Sequence, residues 1–512
     1  MSTSVIFVAS EMRPLVQTGG LGDVARALPI ALEAEGCKVS VFLPFYSAIT
    51  AAGVDVKPTG VTVTVPIGAR EVTAAIYKAT LPGPDVYLIR IDEYFDRTHL
   101  YGTPEHGGYF DNLERYAAFS RAVIEAALAL ELKPDIFHCN DWQTGLLPVY
   151  LKDAYSQEAA KALDITEEKQ AAITAIGSVP VLFTIHNLAY QGTYEDRLFE
   201  TLNLSGHHFT HEGIESYGQI NMLKAGGAFA DIITTVSETY SREIQTPEYG
   251  HRLDGFLRHR RADLFGVVNG ADYADWNPAI DKSIPAKYSP DDMTGKLECK
   301  RALIAEFGLK VRPTTAVVGM VSRLAAQKGF DIVAEAMERI LKLGIGMVIL
   351  GEGEAKFRRL IEAHAKKHPG RLSVKVSFDN RLAHLVEAGS DIFLMPSHYE
   401  PCGLNQIYSL KYGTIPVVRA TGGLEDTIKG HAPGVVGTGF KFKEYTSKAL
   451  VAKLKEAVAL YKDKPEWAAM VARAMAEDFS WARSAKKYME LYSVAIGRAE
   501  VNSEEASGPE SA

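Results

Sequence analysis

Short apolar runs recur along the chain, and most end in a glycine- or proline-containing stretch that passes into apolar positions three or four apart. Residues 5–10 (VIFVAS) form such a run; it breaks at Pro14, crosses Thr18-Gly19-Gly20-Leu21-Gly22-Asp23, and gives way to Val24, Leu28, Ile30 and Leu32 at helical spacing. Residues 39–44, 136–140, 181–185, 230–236, 316–322, 347–351, 391–395 and 415–418 read as further strands. Unbroken apolar runs of this length suit strands buried on both faces, and helices between them supply the crossovers of a parallel sheet. Alternating β-branched residues over 61–65 and a run near 86–91 add strands to the N-terminal half. The pattern predicts an α/β protein with polar residues at the carboxyl ends of its strands, where open α/β sheets bind ligands.

A chain of 512 residues is too long for one core, and an apolar fraction of 47% is enough to fill two. The net charge of −8 and pI near 6.0 disfavour nucleic acid and anionic membranes, which need a basic surface. Cys37, Cys139, Cys299 and Cys402 lack metal or disulfide spacing, and no secretory or membrane-spanning segment is visible, so a cytoplasmic setting is expected. His207, His208 and His211 form a histidine cluster with no supporting cysteine or carboxylate set in the sequence, so neither a metal nor a cofactor is expected.

The densest chemistry lies in residues 395–423, MPSHYEPCGLNQIYSLKYGTIPVVRATGG. A strand ends at Pro396, Glu400 follows with Pro401 and Gly403, and helical periodicity resumes at Leu404. Upstream, Arg323 and Lys328 stand five apart on a loop ending in Gly329, a spacing that suits a diphosphate. Taken singly, Glu400 is as well explained by a helix first turn, and the two cations by a solvated basic turn.

The blocks EPCGLNQ, YGTIPVVRATGGLEDT, SRLAAQKG, TIHNLAYQG, HCNDWQ, VNGADYADWNP and DFSW together resemble bacterial glycogen synthases and plant starch synthases. These are retaining glucosyltransferases with two facing Rossmann-like domains and a cleft between them, the GT-B architecture. The resemblance runs from Ser10 to Trp481. It implies an N-terminal catalytic domain over 1–278, a linker over 279–313, a nucleotide-sugar domain over 314–480, and a helix over 481–498 returning to the first domain. The acidic, Ser/Gly-rich residues 499–512 are expected to be disordered, and residues 154–178 to be a helical surface insertion.

The resemblance further implies transfer of glucose from ADP-glucose to glycogen or another α-1,4-glucan, without a metal. Glu400, His186, Asp141, Arg323 and Lys328 would be catalytic. Gln17, Gly19, Gly20, Asn187, Asn269, Phe378, Cys402, Gly403, Asn405 and the turn Thr421, Gly422, Gly423, Leu424 would bind the donor. Tyr101, Asp111 and Asn112 would border the acceptor. Alternatives stay open at single positions: packing for Tyr101, a core phenylalanine for Phe378, an Asx cap for Asp141, a buried structural histidine for His186. Gln17 stands where the family pattern has a lysine against the donor's phosphates. That departure leaves a UDP-glucose enzyme of the same fold, or a catalytically weak glucan-binding homologue, as rival readings.

Overall fold

The computed structural model describes residues 2–103, 107–432 and 434–506. The chain forms two compact units: Met1–Val236, Ile244–Gly270 and Trp481–Ala512 make the first; Ser237–Glu243 and Ala271–Ser480 make the second. Among the described residues no helix is long and apolar enough to cross a membrane.

Unit 1 is built on a sheet whose described strands run in the order Leu264–Gly266, Ile232–Thr235, Val181–Ile185, Ile136–Asn140, Ser4–Val8, Lys38–Pro44, Asp85–Arg90, Arg70–Ala79, Val56–Ile67. Arg70–Ala79 pairs antiparallel with both Asp85–Arg90 and Val56–Ile67, and the remaining pairs are parallel. The central strands Ser4–Val8, Ile136–Asn140 and Val181–Ile185 are buried almost throughout, as their unbroken apolar runs require. Chain order reverses between Ser4–Val8 and Ile136–Asn140, so the loops after these two strands diverge at a crevice. The helix Trp481–Ala506 belongs to this unit: Tyr492 Oη lies 2.7 Å from His138 Nδ1 inside the core, and Ser484 Oγ donates to Val268 O. This helix runs past residue 498. Glu504, Glu505 and Ala506 favour helix and the first strong stop signal is Gly508-Pro509, so the expected disorder fails for 499–506. Residues 507–512 lie outside the described part.

Unit 2 carries a parallel sheet in the order Leu372–Lys375, Gly346–Leu350, Val317–Val321, Ile392–Met395, Ile415–Arg419, Phe440–Phe442. Here the reversal falls between Val317–Val321 and Ile392–Met395. Both units are Rossmann-like, so the chain has the expected two-domain α/β build.

The boundary at residue 278 and the linker over 279–313 are corrected. Trp276 stacks on His384 and Tyr408 at 3.7 and 4.1 Å, and Asp281 accepts from Tyr412 Oη at 2.6 Å and faces His384 at 2.8 Å. The helix Thr294–Glu306 buries Cys299, Lys300 and Leu303. Polar and proline-rich composition resembled a hinge, but its aromatic and charged residues are satisfied by the core of unit 2. The segment 154–178 does form two helices, Gln157–Ala162 and Glu167–Gly177, capped by Ser156 and Thr166.

Candidate active site

In unit 2 the two loops that leave the switch point are the ones singled out from sequence. Glu400 follows the strand Ile392–Met395; Arg323 and Lys328 follow Val317–Val321. Glu400 is buried, 4% exposed, and its Oε2 accepts from Lys328 Nζ at 2.6 Å and Ser397 Oγ at 2.9 Å. The loops are laced together: His398 N donates to Gln327 O at 2.8 Å, and Asn405 Nδ2 reaches back to Val321 O at 2.7 Å. Gly329, at φ +78°, permits this approach, because a Cβ there would stand 2.2 Å from Pro396 O. Arg323 is exposed at the same edge. Cys402 is buried below the turn and Gly403, at φ +71°, begins the rise into the helix Asn405–Lys411. Phe378 is 91% exposed, which removes the core-phenylalanine alternative.

In the turn Thr421-Gly422-Gly423-Leu424, expected to bind the donor, the N–H groups of Gly422, Gly423 and Leu424 are engaged within the protein. Gly422 N and Thr421 Oγ1 donate to the Glu243 carboxylate at 3.0 to 3.2 Å, Gly423 N donates to Glu400 O, and Leu424 N to Thr421 O. Burial raises the Glu243 carboxyl above its usual range while these donors pull the other way. The turn braces the Glu400 loop instead: a Cβ on Gly422 would sit 1.9 Å from Glu400 O.

In unit 1, Asp141 closes the strand Ile136–Asn140 at φ 58°, ψ −179°, a region that is essentially glycine-only. What holds it there is its carboxylate, whose Oδ1 accepts from His186 N at 2.7 Å and which also meets the Asn187 amide. Burial pushes its pKa up to about 7, with the neighbouring Glu11 charge adding to the rise. The tautomer of His186 follows from its partner. Asn140 Nδ2 donates to Val8 O at 3.0 Å, so Asn140 Oδ1 faces His186 Nε2 at 2.9 Å and can only accept. The proton is therefore on Nε2, Nδ1 keeps a lone pair, and burial depresses the imidazole pKa to about 3, so the ring is neutral. Asn187 Oδ1 accepts from Ala189 N. Asn269 is buried, and its Oδ1 has no protein partner among the described residues.

The N-terminal half, residues 4–259, matches the family model described as starch synthase catalytic domain, and residues 305–473 match glycosyl transferases group 1. A glycogen synthase of Koribacter versatilis is 44% identical over 95% of this chain and 97% of its own. One from Anaeromyxobacter sp. (strain Fw109-5) is also 44% identical, over 95% of this chain and 98% of its own. Among solved structures, the catalytic domain of starch synthase IV from Arabidopsis thaliana, bound to ADP and acarbose, superimposes with a TM-score of 0.86 at 31% identity, covering 97% of this chain and 100% of that one. The chain belongs to the glycogen and starch synthase family.

As a glycogen/starch synthase it is a glucosyltransferase, and several residues expected to touch substrates do other work. Asp111 binds Arg97 through both oxygens, at 2.7 and 2.5 Å. Asn112 is buried, accepts from Arg115 Nη1 at 2.5 Å and donates to Tyr101 O at 2.8 Å. Asn112 thus ties down the Tyr101 loop, while the Asp111 carboxylate is taken up by Arg97. Tyr101, half-buried, shares a 2.8 Å hydrogen bond with Ser10 and contacts Trp142. Gln17 Nε2 donates to Asp23 Oδ2 at 2.7 Å and Gly19 O at 2.9 Å, which engages both amide protons inside the glycine loop. Gly19 caps the helix Gly20–Ala34.

Sequence reasoning missed Glu11, Asn140, Ser397 and Glu243 in this glycogen/starch synthase. Glu11 is buried beneath the glycine loop, accepts from Thr18 N and from Thr18 Oγ1 at 2.9 Å, and burial raises its pKa to about 7. Its place at the end of the first strand, just before the glycines, was the available signal. The histidine cluster also gains a carboxylate: one ligand atom each from Asp153, His207 and His208 lie within 4.8 Å of one another. Asp153, however, already accepts from Ser205 N and Oγ and pairs with His208 Nε2 at 3.1 Å, a set of bonds that ties down this loop.

Proposed function

We propose that the protein transfers glucose from ADP-glucose to the non-reducing end of an α-1,4-glucan such as glycogen, with retention at the anomeric carbon. The observation that carries this reading is the buried Glu400, held by Lys328 and Ser397 beside Arg323 at the switch point of unit 2. Arg323 and Lys328 meet the charge that develops on the leaving diphosphate. An ammonium has three donors, so Lys328 can hold Glu400 and a phosphate oxygen at once. Glu400 holds the glucosyl hydroxyls and favours positive charge on the ring as the bond to phosphate lengthens.

Cys402, Gly403 and Asn405 line the donor side of that loop, and the exposed ring of Phe378 offers a stacking face to adenine. Retention follows when the acceptor's 4-hydroxyl enters on the face the phosphate leaves, and this needs no second carboxylate at hydrolase separation. In unit 1 the neutral His186 offers its Nδ1 lone pair to a sugar hydroxyl. Asp141 orients the His186 backbone, and Asn269 offers its Oδ1. The Arabidopsis structure was solved with ADP and acarbose, which supports ADP as the nucleotide released. The four cysteines are buried and unpaired, in keeping with a cytoplasmic enzyme.

The deciding measurement is incorporation of glucose into glycogen from ADP-glucose and UDP-glucose side by side, with the product linkage read by NMR. Robust α-1,4 transfer from ADP-glucose is expected. Preference for UDP-glucose would overturn the donor assignment, and transfer from neither would overturn the enzyme reading.

A further inference from the structure

In unit 1, Asp153 follows the helix Leu147–Lys152, and the turn Gly206–His208 returns to it, with His208 55 positions further along the chain. One ligand atom each from Asp153, His207 and His208 then lies within 4.8 Å of the other two. His208 Nε2 and Asp153 Oδ1 are 3.1 Å apart. Two ligands on a tetrahedral zinc, each about 2.0 to 2.1 Å from the metal, stand about 3.3 Å apart, so this pair is already near the separation a shared ion requires. A carboxylate that binds a metal is held in orientation by other donors. Ser205 supplies them, its Oγ donating to Asp153 Oδ1 at 2.6 Å and its N–H to Oδ2 at 3.2 Å. A carboxylate has about four lone-pair sites, so these two bonds leave room for an ion. The His208 ring is buried and set edge-on against Phe229, with centroids 5.1 Å apart. His207 is exposed, its ring centroid 4.0 Å from that of His208, so it can turn onto an ion and leaves a path from solvent.

We propose that Asp153, His207 and His208 form a binding site for a divalent transition metal of the zinc class, with water as the fourth ligand. Two imidazoles and one carboxylate suit Zn²⁺ and Co²⁺, whereas Mg²⁺ takes an all-oxygen shell. The ion takes the place of the proton that joins His208 to Asp153. His208 then binds through Nε2 and carries its one ring proton on Nδ1, so the imidazole stays neutral. The role of the ion is structural: it fastens the turn Gly206–His208 to the end of the helix Leu147–Lys152, and by binding the folded chain alone it stabilises that chain. None of the three residues belongs to the donor or glucosyl machinery described above, so the site stands independently of the transfer reading.

The test uses the full chain, stripped with EDTA and dialysed, as the parent, His207→Ala, Asp153→Asn, and His368→Ala as a control that removes a surface histidine paired with Glu338. Zn²⁺ binding is measured by calorimetry, the Co²⁺ complex by its visible spectrum, and melting temperature with and without Zn²⁺. The parent and the control should take up one Zn²⁺ per chain, show the intense visible absorption of four-coordinate Co²⁺, and melt higher with Zn²⁺ than with Mg²⁺ or EDTA. His207→Ala and Asp153→Asn should each weaken Zn²⁺ binding by at least about tenfold, the lower end of what disturbing a metal site's supporting bonds costs, and should lose the rise in melting. Asparagine keeps an acceptor for Ser205, so Asp153→Asn removes the charge while the loop retains a hydrogen bond.

A cluster that ties the loop by hydrogen bonds alone would behave differently. The parent would take up no Zn²⁺, or either variant would bind it within tenfold of the parent, as ions held by surface groups or thiols elsewhere would. Each of these results overturns the proposal, and so does a parent Co²⁺ spectrum like that of the aqueous ion. Because His207 is exposed, His207→Ala still decides the matter if Asp153→Asn fails to fold.

Discussion

Replacing Glu400 by glutamine keeps the shape of the side chain and removes its charge. Two effects follow from the geometry, and they can be separated. The first is on stability: Lys328 Nζ lies 2.6 Å from Glu400 Oε2, with the two side chains 19% and 6% exposed. Breaking a buried pair from one side costs roughly 3 to 5 kcal/mol. The ammonium here keeps some access to water, so the loss should be nearer about 2 kcal/mol, or a fall in melting temperature of roughly 4 to 8 °C. The second is on catalysis. If Glu400 favours positive charge on the glucosyl ring, its contribution grows toward the transition state, and kcat should fall by about 10² to 10³, or roughly 3 to 4 kcal/mol, with a smaller change in donor KM. Glu400→Gln/Lys328→Met isolates the stability effect, because it removes the orphaned ammonium; its kcat should stay low in any case, since Lys328 is also proposed to meet the diphosphate. The assay is steady-state transfer from ADP-glucose to glycogen, with calorimetric melting of all three proteins. Recovery of kcat along with melting temperature in the double variant, or a kcat for Glu400→Gln within threefold of the parent, would refute the catalytic role.

Arg323→Ala should lower kcat/KM by the equivalent of roughly 2 to 4 kcal/mol while leaving melting unchanged, since the side chain is exposed; parental turnover would place the diphosphate elsewhere. Activity should survive EDTA, because the cations proposed to meet the leaving group are side chains; loss that is reversed by Mg²⁺ or Mn²⁺ would contradict this. Asp141→Ala should destabilise more than Asp141→Gly by about 1 to 2 kcal/mol, since only glycine relieves φ 58°, ψ −179°, and both should lose activity; equal melting temperatures would deny the strain. Glu11 has a folded pKa of about 7 against an ordinary 4.5. The folded state thus holds that proton more tightly, and stability should fall as pH rises from about 4.5 to about 7, then level off, by on the order of 3 kcal/mol. Asp141, also raised to about 7, adds slope in the same window, so Glu11→Gln should reduce the slope in melts from pH 4.5 to 8 without abolishing it, and an unchanged slope would assign it to other groups.

The amino-acid sequence by itself determined the strands, the class of fold and the loops that carry chemistry. Buried parallel strands announce themselves as unbroken apolar runs, and glycine or proline after such a run marks a switch-point loop whatever the rest of the chain does. That is why these loops could be located in advance, whereas the roles expected for Glu400, Arg323, Lys328, Asp141 and His186 came from the resemblance of their blocks to the family. Partner choice was a different matter, because hydrogen-bond partners far apart in sequence have no local signature. Glu243 meets Gly422 across 179 positions, and Lys328 meets Glu400 across 72. The tertiary structure alone decided that the Thr421 turn braces a loop, that Asn112 holds Tyr101 and Asp111 holds Arg97, and that a polar stretch resembling a linker anchors Asp281 against His384 and Tyr412. It also decided the state of position 17. Read along the chain, glutamine in place of lysine is a lost charge; in the fold, it donates to a carboxylate six residues on, which also pairs with Arg13, because the glycine loop doubles back onto the first turn of the helix it opens.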